Sequence, residues 1–248
     1  MKKVVRKIAG KLGFDIVSKS ESLKEYDEFI DIYNECQPYT MTTIERMFSL
    51  YKAVEYVVKN NIPGDLYECG VWRGGSSMMI AKTLQKFNCT DRNLYLFDTF
   101  EGMTEPTEVD KDASGTTAKE YLDNFRKKDA DFAWCDASIE DVQNNMKLTG
   151  YPAERIFYIK GKVEDTLPSF EVKNDIAVLR LDTDWYESTK VEMNYLYPKL
   201  VVAGVLIIDD YGYWEGARKA IDEYLEQHKI KMLLNRIDIT GRIAVKTM

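Results

Sequence analysis

Two stretches of this 248-residue chain end a short apolar run in carboxylates. One is Leu179-Arg180-Leu181-Asp182-Thr183-Asp184-Trp185, the other Val205-Leu206-Ile207-Ile208-Asp209-Asp210-Tyr211. Such runs read as strands buried on both faces. In a parallel sheet their carboxylates emerge at the C-terminal edge, where open α/β folds bind ligands. Asp182 and the Asp209-Asp210 pair are therefore expected to face each other across neighbouring strand ends. Three anionic side chains gathered there repel unless a cation is present or one is protonated. Hard oxygen donors at this density suit Mg²⁺ or a related hard cation, with positions left for water or substrate. Helix capping by Asp182 or Asp184, ahead of a helix beginning near Tyr186, is the plainer account of a single aspartate. It explains less well an Asp-x-Asp and an Asp-Asp at two successive strand ends. His228 is the only histidine, which excludes a zinc site built from several imidazoles. It falls in phase with Ala217, Ile221 and Tyr224 and is expected to pack on the last helix.

A second constellation lies upstream, at Asp65 to Ala81 (DLYECGVWRGGSSMMIA). Leu66 to Cys69 reads as the end of a buried strand. Gly70, Gly74 and Gly75 break it, and Ser76-Ser77 precede an apolar run that begins at Met78. Strand, glycine turn and helix is the layout that sets an open turn and a helix N-terminus against a nucleotide-like ligand. Glu68 ends this strand, and Asp98 ends the next strand-like run, Asn93 to Phe97. A carboxylate so placed is suited to the two hydroxyls of a ribose. The alternative is an ordinary strand-to-helix turn with no ligand.

The elements that must position these groups alternate along the chain. Strands are expected at 65–69, 93–98, 156–160, 175–182 and 203–209, with helices near 76–87, 117–127, 138–149 and 186–199. That order gives a parallel sheet covered on both faces. A helix near 215–228 precedes two strand-like runs, 230–237 and 242–247, expected to pair as a hairpin with an antiparallel last strand at the sheet edge. Ahead of the sheet, Glu21 to Gln37 is helical and stops at Pro38. A second helix opens at Glu45-Arg46, capped by Thr42 or Thr43, with Ile44, Met47, Phe48, Tyr51, Val54 and Val58 on one face. Domain boundaries follow: an N-terminal helical extension over 1–60 and one α/β domain over 61–248. Within it, the polar stretch 102–117 (GMTEPTEVDKDASGTT) is long enough to be a lid or binding loop, or a disordered insertion.

Composition narrows the function classes. The chain is 45% hydrophobic and 30% charged, the mix of a soluble globular domain. Its net charge of −7 argues against a nucleic-acid partner. Cys36, Cys69, Cys89 and Cys135 form no CxxC pair and read as reduced thiols of a cytoplasmic protein. No apolar run reaches the length of a membrane span. The first residues, MKKVVRKIAGKLGF, interleave Lys2, Lys3, Arg6, Lys7 and Lys11 with apolar residues. Such a segment makes weak contact with an anionic membrane surface or a partner chain, lies as a helix on its own domain, or is a frayed end.

Taken together the motifs resemble the macrocin/mycinamicin/novobiocin type of sugar O-methyltransferase. The segments that carry the likeness are TMTTIERM at 40–47, GDLYECGVWRGGSSMMIA at 64–81, LFDTFEGM at 96–103, GYPAERI at 150–156, KGKVEDTLP at 160–168, RLDTDWYEST at 180–189 and IIDDYG at 207–212. The resemblance implies one Rossmann-like domain with a mostly parallel seven-stranded sheet and an antiparallel C-terminal strand. It also implies S-adenosylmethionine (SAM) and Mg²⁺ as cofactors. Glu68, Gly70, the Gly74-Gly75 turn and Ser76 then hold the methionine part of SAM, with Met41 and Thr42 at its amino-acid end. Asp98 takes the ribose hydroxyls, with Thr99 beside it, and Lys162 and Val163 lie near the adenine. Asp182, Asp209 and Asp210 match the metal ligands, Asp182 also bordering the cofactor, and Asp184 matches the general base. The family implies a small-molecule or glycan acceptor with vicinal hydroxyls, and a homo-oligomer.

The chemistry fits these groups. Methyl transfer from a sulfonium is an in-line displacement, so the enzyme supplies geometry and a nucleophile. A sugar hydroxyl holds its proton far above neutral pH. A hard cation coordinated by it lowers that pKa, and a nearby carboxylate takes the proton. Trp185, Tyr186, Tyr211, Tyr213 and Trp214 are expected near the same strand ends, to face a sugar ring or to pack under the 102–117 segment. Three other readings remain: a metal-dependent catechol-type methyltransferase, a nicotinamide dehydrogenase (disfavoured because the turn lacks GxGxxG spacing), and a binding protein without catalysis.

Overall fold

The computed structural model describes residues 26–126 and 135–247. The basic segment at the N-terminus, with its membrane or partner contact, lies outside these residues. Seven strands form one sheet: β1 (Asp65–Cys69), β2 (Leu94–Asp98), β3 (Ile156–Lys160), β4 (Ile176–Leu181), β5 (Leu200–Ile208), β6 (Asn235–Arg236) and β7 (Arg242–Val245). Their order is β3-β2-β1-β4-β5-β7-β6. β1 to β5 pair in parallel, and β7 runs antiparallel to β5 and to β6. The strand order reverses between β1 and β4, which opens a crevice at the carboxyl ends of the strands.

The helices are α1 (Asp27–Cys36), α2 (Ile44–Lys59), α3 (Gly75–Lys86), α4 (Ala118–Arg126), α5 (Ile139–Lys147), the single turn α6 (Val163–Thr166), α7 (Tyr186–Tyr195) and α8 (Glu215–Gln227). Alternate strand residues feed two cores, as the period of two requires. Leu66, Leu94, Leu96, Val178, Val205 and Ile207 face α1, α2 and α3. Tyr67, Cys69, Tyr95, Phe97, Leu179, Leu206 and Ile208 face α7 and α8. The two N-terminal helices thus share a core with the sheet: Phe29, Met47, Val54 and Val57 are fully buried in it. Thr43 caps α2, accepting the Arg46 N–H at 3.3 Å.

The 102–117 segment is folded against the domain. Its anchor is Asp110, which is fully buried. One carboxylate oxygen accepts the Tyr186 N–H at the start of α7 at 2.8 Å. The other accepts the Thr107 N–H at 2.7 Å and the Thr107 hydroxyl at 2.8 Å. Asp112 forms a bridge with Trp214 just ahead of α8.

Three expectations need correction. Residues 230–234 form no strand; only Asn235–Arg236 joins the ladder. Ile230, Met232 and Leu234 alternate because an extended chain lays them against the core, while Leu233 points outward, 82% exposed. The last strand is not at the edge, because β7 lies between β5 and β6. The helix from 186 ends at Tyr195, and Pro198, which has no N–H to donate, sits in a separate 3₁₀ turn over Tyr197–Lys199.

Candidate active site

One cavity opens at the carboxyl ends of β1, β2, β4 and β5. Its walls include Met41, Thr42, Arg46, Gly70, Val71, Trp72, Asp98, Thr99, Lys162, Val163, Asp182, Asp184, Asp209 and Asp210. Of the residues singled out from sequence, the structure brings eleven together here: Met41, Thr42, Gly70, Asp98, Thr99, Lys162, Val163, Asp182, Asp184, Asp209 and Asp210. Glu68, Gly74, Gly75 and Ser76 are not in its walls. Glu68 is 1% exposed and turned into the protein, where it pairs with Arg180 and accepts the Ser77 hydroxyl. Gly74 has φ +88° and caps α3, while Gly75 is set by the chain behind it, since a Cβ there would lie 2.6 Å from the Tyr39 carbonyl. The Ser76 hydroxyl points at the Met47 sulfur, at 3.7 Å. These four shape the turn from behind.

The front of the turn is pinned by Asp98. Its Oδ2 accepts the Val71 N–H at 2.6 Å and the Trp72 N–H at 3.0 Å, and its Oδ1 accepts the Phe100 N–H at 2.7 Å. Trp72 and Phe100 both take the left-handed conformation, with φ +48° and +52°. One carboxylate thereby holds two strained turns against the end of β2. The Thr99 hydroxyl lies 2.5 Å from the Gly102 carbonyl and 3.3 Å from Oδ1 of Asp98; it has one proton, and donation to the nearer oxygen leaves Oδ1 acceptor capacity. Gly70, at φ +83°, lets β1 pass β4 closely: a Cβ there would lie 2.0 Å from the Asp182 carbonyl.

Across the crevice, Asp182, Asp209 and Asp210 each offer a carboxylate oxygen, and these oxygens lie within 4.8 Å of one another. Asp184 sits at the apex of a three-residue turn, with φ +68° and the Trp185 N–H donating to the Thr183 carbonyl at 2.8 Å. Burial raises the Asp184 carboxyl to about 7; a hydrogen bond with Asp210 opposes the shift, and the charges of Asp182 and Asp209 add to it. Asp182 and Asp210 are raised well above the ordinary carboxylate range, first by burial and then by the neighbouring aspartates.

Two arginines hold this acidic group together. Arg180 is 2% exposed and stands opposite Glu68 in the β1–β4 register. Its Nη1 lies 2.6 Å from Glu68, and its Nη2 lies 2.9 Å from Asp182 and 2.8 Å from Asp209. Nη2 also donates to the Thr42 hydroxyl at 3.3 Å. Arg46, from the first turn of α2, pairs with Asp209 and with Asp238. Six carboxylates (Glu68, Asp182, Asp184, Asp209, Asp210 and Asp238) therefore face two guanidiniums. Oδ1 of Asp209 is buried and, although close to Arg180, accepts no aligned hydrogen bond. An anionic excess with an under-used carboxylate oxygen is a donor set that fits a hard divalent cation.

Sequence reasoning passed over Arg46, Arg180 and Glu192. Arg180 carried a signal, because a charge inside an apolar strand must find a partner. Glu192, fully buried on α7, accepts the Thr183 hydroxyl at 2.9 Å and so steadies the turn that carries Asp184; nothing in the helix pattern marks it. Of the aromatic group, Trp185 lines the cavity, while Trp214 packs on it edge-on at 5.1 Å beneath the 102–117 segment. Tyr186 and Tyr211 donate their hydroxyls to Glu223 and Asp222, outside the cavity. His228 is exposed at the end of α8 and lies against the Tyr224 ring, at 4.3 Å between centroids, rather than in the core. All four cysteines are free, and among the described residues no helix is long and apolar enough to cross a membrane.

Comparison with known proteins adds an independent line. The model of the macrocin-O-methyltransferase (TylF) family matches residues 23–245. The chain is 34% identical over 203 residues to demethyldecarbamoylnovobiocin O-methyltransferase of Streptomyces niveus, covering 82% of this chain and 74% of that one. It shares the same identity and coverage with a Streptomyces olivaceus enzyme named 8-demethyl-8-(2,3-dimethoxy-alpha-L-rhamnosyl)-tetracenomycin-C 4'-O-methyltransferase. The solved structure of the O-methyltransferase NovP superposes with a TM-score of 0.72 at 32% identity, over 85% of this chain and 83% of that one.

Proposed function

The chain belongs to the macrocin-O-methyltransferase family, and from that premise we propose that it moves a methyl group from SAM to a sugar hydroxyl of a glycosylated small molecule, with Mg²⁺ held by Asp182, Asp209 and Asp210. The observation that carries the reading is three carboxylate oxygens within 4.8 Å of one another, in the same cavity wall as Asp98 and Gly70. A rhamnosyl group in the name of the Streptomyces olivaceus relative supports a sugar acceptor.

Each side chain has a defined task. Asp98 accepts from the ribose hydroxyls of SAM through the free capacity of Oδ1, while its other bonds keep the turn open. Met41, Thr42 and Gly70 border the methionine end, and Lys162 and Val163 the adenine end. When bound, Mg²⁺ supplies Lewis acidity that lowers the pKa of a coordinated hydroxyl. Asp184, on its rigid turn two residues beyond Asp182, accepts the proton that the acceptor hydroxyl gives up as its oxygen takes the methyl group. Arg46 and Arg180 hold the ligand carboxylates together at the strand ends.

The test is a methyl-transfer assay with SAM and two acceptor panels, deoxysugar conjugates and catechols, run in MgCl₂ and in EDTA. The expected result is transfer to a sugar conjugate that stops in EDTA and returns with added MgCl₂. Asp184→Asn should lower kcat by about 10²–10⁴-fold while leaving SAM affinity near the wild-type value. Transfer indifferent to EDTA would overturn the metal role, and transfer confined to catechols would overturn the sugar.

A further inference from the structure

Asp238 belongs to the turn between β6 and β7, far in sequence from the carboxylate cluster, yet it is tied to it. Its Oδ1 accepts the Thr240 N–H at 2.9 Å and the Gly241 N–H at 2.7 Å, which fixes the turn. Its Oδ2 accepts the Thr43 hydroxyl at 2.8 Å and lies 3.0 Å from Arg46 Nε. The other side of the same guanidinium pairs with Asp209 through Nη1. The turn is wedged in place: the Gly212 N–H donates to the Thr240 carbonyl at 2.8 Å, and a Cβ at Gly212 would lie 2.1 Å from the Ile239 carbonyl. A Cβ at Gly241 would meet the Arg46 side chain at 2.9 Å. Arg46 is thus clamped between a carboxylate at the cavity and one outside it.

Resting on the metal reading above, we propose that Asp238 is a positioning residue for the cation site and acts through Arg46. A guanidinium held by carboxylates on two sides has a fixed orientation, whereas one held at a single point can pivot. Asp238 therefore anchors the Nε side of Arg46 and fixes where Nη1 meets Asp209. Without that anchor the guanidinium is free to swing toward the cation position, where its charge opposes a bound cation.

The experiment is calorimetric titration of the full chain with MgCl₂, repeated with MnCl₂, in a double-mutant cycle of Asp238→Asn and Arg46→Met. Asparagine keeps the oxygen that accepts from Thr240 and Gly241 but not the charge. Asp238→Asn alone should weaken cation binding about tenfold, the scale for groups that orient metal ligands. In the Arg46→Met background the same change should cost about threefold or less. Arg46→Lys is the second probe: it keeps the charge but cannot span both carboxylates, and it should reproduce the loss of Asp238→Asn even if that variant folds poorly. Equal losses in both backgrounds, as a distant field or a general folding defect would give, overturn the proposal while leaving the metal reading intact. Wild-type protein that binds neither cation overturns the metal reading, and the proposal with it.

Discussion

Replacing Arg180 by methionine removes a buried cation between the two halves of the crevice. The side chain is 2% exposed and contacts Glu68, Asp182 and Asp209. Methionine fills most of the volume, so the loss is electrostatic. Glu68, itself 1% exposed, would keep the Ser77 hydroxyl as its sole hydrogen-bonding partner. Removing one member of a buried ion pair costs about 3–5 kcal/mol, which in a domain of this size lowers Tm by roughly 6–20 °C. The pH dependence has a definite sign. Burial already raises the Glu68 carboxyl, and Arg180 is the main influence pulling it back. Without the arginine the folded-state pKa climbs further above the unfolded value near 4.3. A raised carboxyl pKa adds stability below the unfolded pKa and loses it as pH rises through the folded one. The deficit of the variant should therefore be smaller at pH 5 than at pH 8. Urea titrations at both values, with scanning calorimetry, make the measurement. The double variant Glu68→Gln/Arg180→Met should recover about half of the loss or more, because a neutral pair needs no counter-charge. A loss below about 1 kcal/mol at pH 8, or a double variant no better than the single, would refute the reasoning.

Two further outcomes are expected. Asp98→Ala frees the Val71, Trp72 and Phe100 amides and should weaken S-adenosylhomocysteine binding by more than about tenfold in calorimetry, since each bond is to a charged acceptor. Asp110→Ala removes the buried acceptor of the Tyr186 and Thr107 amides and should cost about 1–3 kcal/mol. Limited proteolysis should then cut within 102–117 well before the rest of the domain.

The sheet was readable because its strands are short apolar runs closed by glycine or aspartate. β1 and β3 begin and end where their residues predict. The carboxylate cluster was readable for a related reason: residues that end neighbouring parallel strands must meet at one edge. What escaped was partnership across the chain. Gly75 looks like a ligand-facing glycine until Tyr39 is seen against it. Alternation at 230–234 has the period of a strand, yet only Asn235 and Arg236 pair with β7, and the alternation before them records apolar side chains laid on the core. Arg46 sits in a helix pattern that records only its apolar neighbours. Asp238 reads as a turn residue, which it is, while its second oxygen does work that spacing cannot reveal.

The backbone at the crevice carries one last implication. Gly70 donates to Phe97, Asp182 to Cys69 and Asp209 to Leu181, each at 2.9 Å. That is a single row of bonds running through four adjacent strands, with donor-side and acceptor-side residues fastened to the same beam. Neither half can shift without shearing the other. A bisubstrate inhibitor spanning both proposed sites would meet a fixed gauge at these strand ends, so its affinity should turn sharply on linker length.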